Sequence, residues 1–255
     1  MINTIKNTAL ATLIMGSTIA ISGWVTPQSV NALTVTTPNL QSTTGNNTAL
    51  SISNRTYQMQ YGASLLTGIN IGDVITGLTF RISSNLLNSN SLAASFTDYE
   101  IYLSQAVNTI ANMSTTFANN QSNSVQVRDG ALSFNANDFQ GGALNPSTNP
   151  FGPVISFDNP YTYQGGDLVV LIQHTPSSSN IGFLDALNTS TPGYGTDFRA
   201  FTGNSFGATT GTQASITITQ FTVEPQAVPE PLTILGTLAS LGFGIVFKKK
   251  SQQTP

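Results

Sequence analysis

The 255-residue sequence contains no cysteine, a single histidine, a single tryptophan and only 7 % charged residues, against about 25 % in an ordinary globular protein. The missing cysteine excludes disulfides, thiolate metal centres, iron–sulfur clusters and thiol nucleophiles. An isoelectric point near 4.8 excludes the basic footprint of a nucleic-acid binder. No lysine lies between Lys6 and Lys248, so Schiff-base chemistry is excluded from that whole stretch. Ser, Thr, Asn and Gln take the place of charge, at roughly 40 % of the chain. Disorder does not follow, because 39 % of residues are apolar and 14 Phe and 7 Tyr can build a core.

The two ends read as addresses. Lys6 precedes an apolar stretch from Ala9 to Ile21, and Val30-Asn31-Ala32 places small residues where signal peptidase needs them. A basic start, a short apolar run and an A-x-A-like site make a secretory signal peptide over 1–32, with cleavage after Ala32. At the far end a polar linker, 224–228, leads to Pro229-Glu230-Pro231. Sixteen uncharged residues, 232–247, follow, then Lys248-Lys249-Lys250 and a tail of five, 251–255. Prolines flanking Glu230 keep the motif extended. Sixteen helical residues span about 24 Å, and snorkelling lysines extend that toward the ~30 Å of a hydrocarbon core. Three lysines on one flank set the cytoplasmic side, so 232–247 reads as a transmembrane helix.

This tail resembles the PEP-CTERM sorting signal of bacteria that carry an exosortase, in a wording (Leu232-Thr233-Ile234-Leu235-Gly236) similar to the cyanobacterial form. The resemblance covers 229–250: the tripeptide, the apolar span and the basic stop, in the right order. It implies that an exosortase-type membrane protease reads Pro229, Glu230 and Pro231 while the helix holds the protein in the membrane. The protein is then expected in the cell envelope or extracellular matrix, with signal peptidase as its other processing partner.

Between the addresses the pattern is all-β. Residues 33–48 are Thr/Asn/Gln-rich and read as a flexible polar arm, and 49–223 as one β-sandwich domain. Apolar residues alternate at Tyr57/Met59/Tyr61, Leu78/Phe80/Ile82 and Tyr99/Ile101/Leu103, with Thr79, Arg81 and Ser83 expected to face water. Val125 and Val127 lead into Asp129-Gly130, the signal for a hairpin that returns through Leu132 and Phe134. Val154 to Phe157 reads as a strand ended by Asp158-Asn159-Pro160, and Ile181–Phe183, 197–201 and Ile216/Ile218 as further strands. Leu168 to Ile172 is apolar at every position, which marks a central strand covered on both faces. About nine or ten strands result. The run Tyr161-Thr162-Tyr163-Gln164-Gly165-Gly166-Asp167-Leu168 resembles the entry to the central strand in jelly-roll modules of bacterial surface proteins. That resemblance favours a jelly roll.

Catalytic candidates are few. Gly203-Asn204-Ser205-Phe206-Gly207 matches G-x-S-x-G, but no Asp or His follows it to complete a triad, so a turn is expected. His174 is expected to hydrogen-bond at a strand end. Asp158, Asp167, Asp185 and Asp197 lie near turns and could offer oxygens to a structural calcium ion, yet no EF-hand spacing accompanies them and no cofactor is expected. Tyr102, Tyr161, Tyr163 and Tyr194 could stack on sugars, which gives exopolysaccharide binding as the alternative function. A non-enzymatic, exported β-sandwich is the expectation; a hydrolase or lyase would need paired carboxylates in one cleft.

Overall fold

The computed structural model describes residues 31–226. The signal segment up to Val30, the sorting motif Pro229-Glu230-Pro231, the span 232–247 and Lys248, Lys249 and Lys250 lie outside them. No helix among the described residues is long and apolar enough to cross a membrane.

The described chain is predominantly β and its ladders are antiparallel. Fifteen strands, more than the nine or ten expected, run in the order β1 (Leu33–Thr37), β2 (Thr44–Asn46), β3 (Arg55–Tyr61), β4 (Val74–Thr79), β5 (Ala94–Phe96), β6 (Tyr99–Ala106), β7 (Gln121–Arg128), β8 (Leu132–Phe134), β9 (Ile155–Thr162), β10 (Leu168–His174), β11 (Leu184–Leu187), β12 (Phe198–Gly203), β13 (Thr212–Ala214), β14 (Ile216–Thr217) and β15 (Thr219–Glu224). The excess is β1 and β2 in the segment read as an arm, the short β5 and β13, and β15 in the stretch after Ile218. A four-stranded sheet has the order β1-β15-β4-β9 and a six-stranded sheet the order β13-β12-β3-β10-β6-β7. Smaller sheets, β14-β11-β2 and β5-β8, complete the set.

The core lies between the two larger sheets, in a sandwich-like arrangement. Val35, Leu78, Phe221 and Val223 from one meet Met59, Tyr61, Ile101, Leu103, Val170 and Ile172 from the other. Tyr61 and Phe221 pack edge to face across this interface, centroids 6.0 Å apart. The uninterrupted apolar run has the expected cause: β10 sits between β3 and β6. Its Leu168, Val170 and Ile172 enter the main core, while Leu171 joins Met113, Phe117 and Phe201 in a second cluster on the opposite face. That outer cover also buries Gln58, whose amide donates to Phe117 O (3.0 Å) and whose carbonyl accepts from Asn120 (2.7 Å). Gly165 and Gly166, both at positive φ, turn the chain from β9 into β10.

Several expectations are corrected. Residues 33–48 are not a flexible arm. Leu33 to Thr37 pair with Val223 to Thr219, and Thr44–Asn46 pairs with β11. Threonine suits a pleated strand as well as a loop, and Val35, 7 % exposed, anchors β1 in the core. The 125–134 hairpin does not form: Ile101 pairs with Arg128 of β7, whereas Phe134 of β8 pairs with Ala94 of β5. Only Gly130 of the Asp129-Gly130 pair has positive φ, and a type I′ turn needs both. Thr79 and Ser83 do not face water; the 140–153 loop covers Thr79, whose hydroxyl donates to Gly152 O at 2.9 Å. β9 continues through Asp158-Asn159-Pro160 because it is an edge strand, and its register shifts opposite Thr76, where proline leaves no ladder bond unmade. The 181–183 strand begins later, at Leu184, and β15, after β14, is the last strand.

Candidate functional site

Strand directions define two poles. At one, the start of β1 lies beside the end of β15, with Leu33 opposite Val223, and Ala32 is exposed just before it. The loop from β3 to β4 and the turn from β9 to β10 share this pole. Asp73 organises it. Its Oδ2 accepts from the backbone N–H (2.7 Å) and side-chain amide (3.1 Å) of Asn70, and its Oδ1 from the backbone N–H of Gln226 (2.8 Å). Burial alone would push the Asp73 carboxyl up, but these hydrogen bonds outweigh it and hold the group below its ordinary value. The linker expected over 224–228 is thus partly structured: Glu224 closes β15 and Gln226 is tied to Asp73.

The opposite pole carries the one group of carboxylates among the described residues that could share a cation. Asp98, Glu100 and Asp129 each bring an oxygen within 4.8 Å of the others. The strand pattern explains why: Tyr99 points into the core, so Asp98 and Glu100 flank it on the outer face. Pairing of Ile101 with Arg128 then sets Asp129 beside them. Burial, then the charges of Asp98 and Asp129, raise the Glu100 carboxyl, although the Tyr102 hydroxyl donates to it at 2.9 Å. Tyr102 is itself pushed up to about 12, by burial and by Glu100. Asp98 Oδ1 is buried and accepts no hydrogen bond. Oxygen-only donors of this kind suit a hard cation such as Ca²⁺.

The four aspartates singled out by sequence are not brought together. Asp158 accepts from the backbone N–H of Asp129 (3.1 Å) and faces Arg128 at 3.8 Å. Asp167 accepts from the Gln60 amide (3.2 Å) and the backbone N–H of Ala63 (3.0 Å). Asp185 is fully buried against Arg81 (2.7 Å) and Ser84, and Asp197 is exposed before β12. Proximity to turns in the sequence does not bring carboxylates together; the pairing of β6 with β7 does, and it gathers Asp98, Glu100 and Asp129.

Ser205 lies in an exposed turn after β12 with no helix behind it, as expected for a G-x-S-x-G match without a triad. His174 is buried at the end of β10, with Nδ1 2.7 Å from Thr175 O and Nε2 3.0 Å from Thr48 O. Its ring stacks on Tyr99 and meets Phe96 edge-on. Tyr161 and Tyr163 are core residues, and Tyr194 is spent on the carbonyls of Ala200 (3.1 Å) and Ala214 (2.6 Å). No known protein family, curated protein or solved structure matches this chain.

Proposed function

We propose that this is an exported, non-enzymatic β-sandwich protein of jelly-roll type, released by signal peptidase after Ala32. A PEP-CTERM tail centred on Pro229, Glu230 and Pro231 sorts it to the cell envelope or extracellular matrix. The observation that carries the reading is the order of segments in the chain: signal peptide, all-β body, tripeptide, apolar span and basic stop. The fold is consistent with it. Both ends of the body leave from one pole, so a single membrane-facing side serves both processing sites, and the opposite pole points outward. Replacing Glu230 and its flanking prolines by alanine is expected to leave the unprocessed precursor in the membrane fraction. Unchanged tail removal and localisation would sink the sorting claim.

A second reading, an exopolysaccharide-binding module, takes its support from Asp98, Glu100 and Asp129 rather than from the tyrosines. An acidic body is not drawn to an anionic polymer by bulk charge, so contact rests on hydrogen bonds, stacking or bridging cations, and these three carboxylates would serve the last. Millimolar Ca²⁺ is then expected to raise the thermal midpoint of residues 33–226 and to promote polysaccharide pull-down, both lost in Asp98→Asn. No shift and no pull-down, with or without Ca²⁺, would discard this reading.

A further inference from the structure

The hydrogen bond from the Gln226 backbone N–H to Asp73 Oδ1 ends the described chain just short of the sorting motif. Pro229 is three residues beyond Gln226, so it can lie at most ~11 Å from that fixed point. The anchor is well supported on the body's side. Asp73 is 3 % exposed and holds Asn70 through its other oxygen, while its backbone bonds link it to the β9–β10 turn (Tyr163 N–H to Asp73 O, 2.9 Å). A protein that reads an extended peptide by strand addition takes its affinity from the peptide's main-chain groups. Here the main chain on the N-terminal side is already held by the body.

We propose that Asp73 is a positioning residue for tail processing: its bond to Gln226 is a latch that must open before a sorting enzyme can grip the chain ahead of Pro229. The inference rests on the sorting function proposed above. Asp73 touches neither the motif nor the bond to be cut; it sets how much free chain the enzyme finds. Closed, the latch holds Gln226 to the body and leaves only the chain beyond it free. Open, it adds the residues back to Glu224.

Pulse–chase conversion of full-length precursor to processed protein in the native host tests this. Gln226→Pro removes the donor, and with it the Gln226 side chain that lies over Gly72, but leaves Asp73 in place; Asp73→Ala removes the acceptor. Both are expected to process up to about tenfold faster, the factor that one charge-assisted hydrogen bond puts into the open population. Asp73→Asn keeps an acceptor oxygen and should return the rate toward wild type. Six Gly/Ser residues inserted after Gln226 should accelerate processing in the wild type and add nothing in Gln226→Pro. Wild-type or slower rates in Gln226→Pro and in the insertion variant overturn the latch. Glu230→Ala separates the two levels: if it blocks conversion while the latch variants stay at the wild-type rate, only the latch fails. If it does not block conversion, the sorting reading fails and the latch with it.

Discussion

Few charged side chains are present, and those that are buried carry defined structural roles. Arg81 Nε meets Asp185 Oδ2 at 2.7 Å, Ser84 adds its backbone N–H to the other carboxylate oxygen, and the Arg81 guanidinium lies over the Phe151 ring. Asp185→Ala would leave a nearly buried guanidinium without its counter-charge and is expected to cost about 3–5 kcal/mol in urea unfolding at neutral pH. A loss below ~1 kcal/mol would show that water reaches the pair. His174 gives a pH signature. Burial, aided by the charge of Arg55, holds its ring below the ordinary histidine range despite the two carbonyls beside it. The unfolded chain therefore takes up the proton first, and this contribution to stability, complete above about pH 6.5, is lost as pH falls below that value. His174→Gln should abolish the fall between pH 6.5 and 5. At this scale little was legible from sequence: Asp185 stood out as a turn carboxylate, and its partner lies 104 residues away. His174 was legible, because an isolated histidine ending an apolar strand has few roles open to it.

Period-2 alternation and the apolar run of β10 were readable wherever a strand buries one face or both. Tyr57, Met59 and Tyr61 of β3 and Tyr99, Ile101 and Leu103 of β6 all lie where alternation put them. Two kinds of element were not readable. The first is the strand made mostly of threonine, such as β1, whose burial is conferred by β15 at the other end of the chain. The second is the strand whose partner is not its neighbour, as with β7 and β8. Their Asp-Gly junction looks like a hairpin, but each strand pairs into a different sheet. Paired substitutions test β1 directly. Val35→Asp puts a carboxylate into the core and is expected to cost about 3 kcal/mol or more, while Thr34→Asp on the exposed face should stay within about 0.5 kcal/mol. Equal, negligible effects would mean that β1 does not dock in solution.

Charge, divided by segment, describes the whole molecule better than its total of −3. Lys6 and Lys248 to Lys250 lie outside residues 33–247, which hold four arginines against eleven acids, a net of −7. Among the described residues those arginines are committed locally: Arg81 and Arg128 to carboxylates, Arg199 to Ala111 O and the Phe201 ring, Arg55 to Asn54 O. One consequence makes the export account measurable. A chain cut after Ala32 and relieved of Lys248 to Lys250 has a single primary amine, the α-amine of Leu33, whereas the full sequence has five including its own N-terminus. Intact-mass spectrometry of the native protein after amine labelling reads both ends at once. A chain beginning at Leu33, lacking the lysine stop and carrying one label is expected; a chain that retains Met1 or Lys248 to Lys250, with the additional labels, would contradict processing at both ends.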